Sequence, residues 1–193
     1  MRKFGIALLM ILFSVSAWAE PYQAVDKGSL PAAKQSKLGL YLSAQEAYDL
    51  KTSLGDKALF LDIRTKGEFM FLGSPNLIDA NVPYVEMDDP TSWDKTNKRY
   101  KLSPNSDFVA AVAARMESRK LSLGDTVILI CRSGDRSAVA ANLLQQAGYS
   151  KVYSVVDGFE GDLGKTGQRD QNGWKNAGLP WTYQMDEQKA YLR

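Results

Sequence analysis

The stretch that decides the fold is Thr126-Val127-Ile128-Leu129-Ile130-Cys131-Arg132-Ser133-Gly134-Asp135-Arg136-Ser137. Its first five residues are aliphatic or β-branched without interruption, which predicts a strand that is buried on both faces of a sheet. The segment from Ser137 to Ala147 is rich in Ala and Leu and is followed by Gly148, which predicts a helix with a glycine at its C-terminal end. Cys131 is therefore expected between the carboxyl end of a strand and the amino end of a helix.

Strand and helix patterns also alternate on both sides of this stretch. Ser43 and Glu46 have the spacing of a capping box and predict a helix start. The other predicted elements are a strand at Ala58–Ile63, a weaker strand at Asp79–Pro83, an amphipathic helix at Phe108–Leu121 capped by Ser106, and a strand at Lys151–Val156. This order predicts an α/β fold with a mostly parallel central sheet of about five strands and helices on both faces. Ligands of such sheets bind at the carboxyl ends of the strands.

The composition restricts the chemistry that is available to the protein. The chain has 193 residues, 45% of them hydrophobic and 24% charged, which is typical of one folded domain. It contains no histidine, so catalytic dyads and triads that use histidine are excluded, as are histidine metal sites. The single cysteine excludes an intrachain disulfide and a multi-thiolate metal centre. The sequence therefore predicts no metal site and no cofactor.

The first 19 residues have the pattern of a secretory signal peptide. Arg2 and Lys3 precede the apolar run 4–15, and Ala17-Trp18-Ala19 fits a cleavage site. An uncleaved anchor is the weaker alternative, because the run is shorter than the ~20 residues that span a bilayer. We expect export across the inner membrane to the periplasm. Cleavage would change the formal net charge from +2 to zero, which argues against nucleic acid or a membrane surface as partner.

The loop after Cys131 is predicted to bind an anion against the thiol. A short turn between strand and helix directs successive amides inward, and the helix dipole adds positive potential. Both effects favour the thiolate, and Gly134 allows the positive φ that such a turn needs. A buried structural cysteine is the alternative, but burial alone does not require two arginines and a glycine beside the thiol. We predict Cys131 as the nucleophile, with these residues binding the substrate: Arg132, Ser133, Gly134, Asp135, Arg136 and Ser137.

Three motifs resemble those of the rhodanese family. Cys131, Gly134, Arg136 and Ser137 match the family loop C-x-x-G-x-R-[S/T]. A second signature, D-x-R followed by E-F, is present as Asp62-Ile63-Arg64 and Glu68-Phe69. The third resemblance is to the closing segment of the family. It is carried by Val156-Asp157-Gly158-Phe159 and by the later Trp174 and Gly178-Leu179-Pro180-Trp181. The resemblance covers residues 40–181 and implies one complete rhodanese-like domain.

The resemblance implies sulfur transfer through a persulfide on Cys131. The donor would be a small sulfur-containing anion such as thiosulfate, and the acceptor would be cyanide or a thiol, with a thiol-bearing protein as an alternative. Arg132 and Arg136 would bind substrate or support the loop. We expect Asp62, Arg64 and Glu68 to form a structural ion-pair network rather than to react.

The chain also departs from the family pattern. The segments 84–105 and 161–173 are insertions, which on such a scaffold shape access and partners. The predicted organisation is a signal peptide at 1–19, an arm at 20–39, the domain at 40–183 and a C-terminal tail at 184–193. Asp135 lowers the positive potential of the loop.

Two other functions remain open on the sequence alone. Cysteine phosphatases and arsenate reductases use a C-x5-R loop, whereas Arg136 follows Cys131 with the spacing C-x4-R. The shorter loop gives a smaller ring of amides, which suits a sulfur atom better than a tetrahedral oxyanion. The second alternative is a non-enzymatic, exported sulfur carrier or thiol-partner module that uses the same cysteine.

Overall fold

A computed structural model describes residues 27–87 and 89–192 of the chain. The predicted signal peptide at 1–19 lies outside the described residues. No helix among the residues described is long and apolar enough to cross a membrane.

The helices and strands follow the predicted alternation. In chain order they are β1 (Tyr41–Leu42), α1 (Ala44–Leu54), β2 (Ala58–Asp62), α2 (Lys66–Leu72), β3 (Ser74–Pro75), β4 (Ala80–Asn81), β5 (Val85–Glu86), β6 (Trp93–Asp94), β7 (Arg99–Tyr100), β8 (Ser103–Pro104), α3 (Phe108–Ser118), β9 (Thr126–Ile130), α4 (Asp135–Gln146), β10 (Val152–Val155) and β11 (Trp181–Thr182). Short 3-10 turns at Lys27–Ser29 and Ala32–Lys34 precede β1, and a third at Gly55–Lys57 connects α1 to β2.

Five strands form one parallel sheet in the order β1-β10-β9-β2-β4. The predicted α/β class and the five-stranded parallel sheet are therefore confirmed. Because all five strands run in the same direction, their carboxyl ends meet at one edge, where Asp62 and Cys131 lie. This arrangement fixes the position of the candidate site.

Both faces of the sheet are covered by helices. Successive side chains of a strand point to opposite faces, so Val127 and Leu129 of β9 pack with α3 and α4, whereas Ile128 and Ile130 pack with α1 and α2. Trp174 is fully buried on the second face. The continuous apolar sequence of β9 therefore reflects burial on both of its faces.

The first helix begins as the sequence predicts. Ser43 accepts a hydrogen bond from the Glu46 amide at 3.2 Å, and the Glu46 carboxylate accepts one from the Ser43 amide at 2.9 Å. The same reciprocal cap starts α2, between Thr65 and Glu68. Each cap satisfies amides that the first turn of a helix leaves without a partner.

The predicted Ser106 cap of α3 is wrong. α3 starts at Phe108 behind Asp107, because the Asn105 side chain accepts a hydrogen bond from the Asp107 amide at 3.0 Å and sets the turn. The Asn105 carbonyl also accepts from the Phe108 amide at 3.1 Å. The helix ends at Ser118, earlier than the amphipathic pattern indicates.

The predicted start of α4 at Ser137 is also wrong. The helix begins at Asp135, because Gly134 adopts a left-handed conformation with φ of 99° and completes the turn there. Ser137 therefore lies in the first turn of the helix and is fully buried. The loop after Cys131 is correspondingly shorter than predicted.

The inserted and terminal segments have defined positions. The insertion 84–105 forms two short antiparallel pairs, β5 with β8 and β6 with β7. In the arm, Lys34 is buried and donates to Asp162 of the insertion 161–173 at 2.6 Å. The tail folds back against α3 and β4: the Lys189 carbonyl accepts from the Asn81 amide at 2.6 Å, and Tyr191 packs in the core.

Candidate functional site

Cys131 lies directly after β9, at the carboxyl edge of the sheet. Only 1% of the residue is exposed to solvent. The Gly134 amide donates a hydrogen bond to Sγ at 3.1 Å, and α4 begins at the next residue. The amino end of α4 adds the positive end of the helix dipole beside the thiol. The sulfur atom therefore lies in a dry position, with the Gly134 amide and the amino end of α4 directed towards it.

The loop is held by direct contact with the backbone that follows β10. The Phe159 amide donates to the Cys131 carbonyl at 2.8 Å, and the Glu160 amide donates to the Arg132 carbonyl at 3.0 Å. Gly158, with φ of 65°, leaves no room for a side chain, because a Cβ atom would lie 2.5 Å from the Arg132 carbonyl carbon. The Cys131 loop and the segment that follows β10 therefore hold each other in position.

Gly134 makes the second close contact between these loops. A Cβ atom at Gly134 would lie 2.7 Å from the Val156 carbonyl carbon and would contact the Val156 carbonyl oxygen even more closely. The predicted need for glycine at this position is thus steric as well as conformational.

Arg136 supports the loop through an ion pair. Its two terminal nitrogens donate to the two Glu68 carboxylate oxygens at 2.6 and 2.7 Å, which joins α4 to α2. Burial opposes ionisation of Glu68, but the hydrogen bonds and charge of Arg136 outweigh it and lower the pKa of Glu68 to about 2. Burial likewise opposes the charge of Arg136, and Glu68 raises the Arg136 pKa above its ordinary value.

Asp62 and Arg64 form a second ion pair below the site. Both side chains are fully buried, and Arg64 Nη2 donates to Asp62 Oδ2 at 2.5 Å. The same nitrogen donates to the Gly73 carbonyl at 2.7 Å, and the guanidinium lies 4.1 Å from the Phe159 ring centre. The structure thus contains two separate ion pairs, Asp62 with Arg64 and Glu68 with Arg136, and the structural role expected for Asp62, Arg64 and Glu68 stays a prediction.

The remaining predicted residues lie around the mouth of the loop. Ser133 is buried, with 8% of its surface exposed. Asp135 lies in the first turn of α4, where the helix dipole favours an acidic residue. Arg132 is half-buried, and its Nε has no hydrogen-bond partner in the part of the chain that the structure describes. That Nε atom is buried, but Arg132 lines a cavity beside the loop and forms no ion pair among the described residues, unlike Arg136.

Asp157 is a residue to which the sequence analysis gave no role. Its carboxylate accepts hydrogen bonds from the Ala44 amide at 2.8 Å and the Gly173 amide at 3.2 Å, so it joins α1 to the second insertion. Burial raises the pKa of Asp157 from 3.8 to about 6, although the backbone amides favour its charged form. The only sequence signal for a role of Asp157 is its place in the motif Val156-Asp157-Gly158-Phe159.

Among residues 27–87 and 89–192, no three side chains of His, Cys, Asp or Glu are placed to hold one ion together.

Known proteins resemble most of the chain. The model of the rhodanese-like domain family matches residues 43–164. The uncharacterized protein RC0915 of Rickettsia conorii is 30% identical over 142 residues, which are 74% of this chain and 96% of that protein. The chloroplastic thiosulfate sulfurtransferase 16 of Arabidopsis thaliana is 28% identical over 148 residues, 77% of this chain and 97% of its own length. The crystal structure of Rv0390 from M. tuberculosis covers 75% of this chain and 97% of its own, with 29% identity and a TM-score of 0.59.

Substitution of Gly134 tests the contact between the two loops. Gly134→Ala is expected to lower the free energy of unfolding by about 2–5 kcal/mol, because it adds left-handed strain to a clash with the Val156 backbone. Gly167→Ala is the matched control: φ is 79° there, and no atom lies within 4 Å of the added Cβ. It is expected to cost only about 1–2 kcal/mol. Equal losses in chemical denaturation would contradict the close contact.

Asp157 is expected to make stability depend on pH. A carboxyl whose pKa is raised on folding binds more protons in the native state, so stability falls as pH rises between 3.8 and about 6. The free energy of unfolding of the wild type, minus that of Asp157→Asn, should therefore decrease over this range by up to about 3 kcal/mol. Chemical denaturation of both proteins at several pH values measures this difference in the free energy of unfolding. A difference that does not change with pH would contradict the raised pKa.

Proposed function

The chain belongs to the rhodanese-like domain family, and we propose that it is a sulfurtransferase in which Cys131 carries the transferred sulfur as a persulfide. The observation that carries the proposal is the position of Sγ, 3.1 Å from the Gly134 amide at the start of α4. The same dipoles that favour a thiolate also favour the anionic persulfide, so one arrangement serves both half-reactions. The similarity to a plant thiosulfate sulfurtransferase supports the reaction class.

In the first half-reaction, the Cys131 thiolate attacks the outer sulfur of a donor such as thiosulfate. A bond forms between Sγ and that sulfur while the sulfur–sulfur bond of thiosulfate breaks, and its electron pair leaves with sulfite. In the second half-reaction, cyanide or a thiolate attacks the outer sulfur and Cys131 leaves as a thiolate. Neither step requires a proton transfer, which agrees with a sequence that contains no histidine.

The ion pair of Arg136 disfavours the phosphatase alternative. An arginine that binds a tetrahedral oxyanion must present free donors to it, whereas the terminal nitrogens of Arg136 already donate to Glu68 at 2.6 and 2.7 Å. We assign Arg136 to loop support and Arg132, which lines a neighbouring cavity and forms no ion pair among the described residues, to the substrate.

We further propose that the protein works after export to the periplasm. The charged start, apolar run and Ala-x-Ala of residues 1–19 support this location. Mass spectrometry of the protein from the periplasmic fraction is expected to show a chain that begins at Glu20. A full-length chain found only in the cytoplasm would contradict export.

The central test of the function is loss of sulfur transfer in Cys131→Ala. The wild type is expected to release sulfite from thiosulfate when cyanide is present, and the variant is expected to lose this activity to the detection limit. Intact-mass spectrometry of the wild type after incubation with thiosulfate should show a gain of about 32 Da, one sulfur atom, that Cys131→Ala does not show.

The two measurements together separate the alternatives. A persulfide without turnover on any small acceptor would support the non-enzymatic carrier, and neither persulfide nor turnover would contradict sulfur transfer. Hydrolysis of an aryl phosphate that depends on Cys131 would support the phosphatase instead. Matching thermal unfolding of the variant and the wild type shows that the fold is intact.

A further inference from the structure

A cavity of about 290 Å³ adjoins the Cys131 loop on the side of the first insertion. Arg132 and Arg136 line it together with residues of the insertion, which include Met87, Arg99 and Leu102. The volume is close to the lower limit for sites that bind small organic molecules. The inserted segment thus builds an open compartment next to the predicted reaction centre.

The acidic and basic residues that line this cavity differ in whether they have a close partner. Its two acidic residues are engaged, because Glu68 binds Arg136 and Glu86 accepts a hydrogen bond from the Lys66 amide. Arg99 and Arg132 form no ion pair within 4.0 Å in the described part of the chain. Arg99 lies opposite Asp94 across β6 and β7, and the two charges interact without forming a close ion pair. The guanidinium groups of Arg99 and Arg132 are therefore not held by a close carboxylate among the described residues.

The second insertion places a further cation near Arg132. Burial and the positive charge of Arg132 lower the pKa of Arg169, while Glu160, Asp162 and Asp135 favour its charged form. An anionic group beside Arg132 would be attracted by the two arginines and repelled by these three acids.

The insertion also supplies an apolar wall. Met87, Tyr100 and Leu102 line the cavity near Arg99. Tyr100 is 53% exposed, and Trp93 packs against it edge to face with 5.5 Å between the ring centres. The Trp93 contact holds the ring in place and leaves much of it available to a ligand.

We propose that this cavity binds the sulfur acceptor and that the acceptor is an organic thiol that carries a carboxylate, with Arg99 as a specificity-determining residue. The inference rests on the proposed function. A thiolate and a carboxylate joined by an apolar body match the three features present: the loop, the apolar wall and Arg99. Thiosulfate carries all of its charge in one small ion and would leave the insertion uncontacted.

The transfer step is balanced without another reagent. The acceptor thiolate attacks the outer sulfur of the Cys131 persulfide, a new sulfur–sulfur bond forms, and the bond to Sγ breaks with its electron pair returning to Cys131. The products are an organic persulfide and the free thiolate enzyme. Cys131 itself does not line the cavity, and the outer sulfur of its persulfide, about 2 Å beyond Sγ, would be the atom that the acceptor attacks.

The test compares two acceptors, 3-mercaptopropionate and the neutral 2-mercaptoethanol, with thiosulfate as the donor. Arg99→Gln is expected to lower kcat/KM for 3-mercaptopropionate about tenfold and to leave that for 2-mercaptoethanol within about twofold, because only the first contains a carboxylate. Lys101→Gln is the matched control, since Lys101 is exposed on the same insertion and does not line the cavity. It is expected to change neither value. Equal losses for both acceptors, or equal effects of the two substitutions, would overturn the proposal.

Binding to an unreactive protein separates this proposal from the proposed function. Calorimetry with Cys131→Ala is expected to show binding of 3-mercaptopropionate that becomes about tenfold weaker when Arg99→Gln is added. If that weakening appears but the wild type transfers no sulfur, the cavity is supported and the proposed function fails. If the wild type transfers sulfur but Arg99→Gln alters neither binding nor acceptor preference, the cavity proposal alone fails.

Discussion

The whole site depends on a backbone-to-backbone contact between the segments that leave two adjacent strands. β9 and β10 are parallel neighbours, so the Cys131 loop and the Gly158 turn emerge side by side at one edge of the sheet. Amides of the second segment donate to carbonyls of the first, and glycine stands at each point where the chains come too close for a Cβ atom. The thiol is therefore held by the geometry of the main chain, and a nearby side chain could change without moving it.

Charged pairs fix the elements around that contact. Asp62 and Arg64 neutralise each other in a fully buried position, and Glu68 and Arg136 join α2 to α4. Burial of an ion pair gives little net stability, but removal of one partner leaves a buried charge and is strongly unfavourable. These pairs therefore specify where the helices meet the loop more than they stabilise the fold. They also explain how a site that contains two arginines beside its cysteine still has one, Arg132, available for a ligand.

Much of the fold and part of the site could be predicted from local sequence. The strands around β9, the capping box at Ser43 and the position of Cys131 each depend on neighbouring residues, whose periodicity and capping chemistry are visible in sequence. The start of α4 was predicted two residues late, because Gly134 was assigned to the loop without the close contact to Val156 that fixes its conformation. The partner of Arg136 and the role of Asp157 were not predicted, since both depend on residues that are distant in sequence. The insertions are visible in sequence as departures from the family pattern. Their paired strands could not be predicted, because strands of two residues are too short to show an alternation of polar and apolar residues.

The folded-back C-terminal tail has a consequence for how the molecule behaves among copies of itself. β4 is an outer strand of the sheet, and an outer strand offers unpaired amides and carbonyls to any extended chain that approaches. Here the Lys189 carbonyl already accepts a hydrogen bond from the Asn81 amide at 2.6 Å, and Tyr191 packs in the core and holds the tail there. The chain thus supplies its own cover for an edge through which sheets join and aggregate. This cover limits edge-to-edge pairing through the geometry of the chain, at a formal net charge of only +2 that offers little electrostatic repulsion between copies.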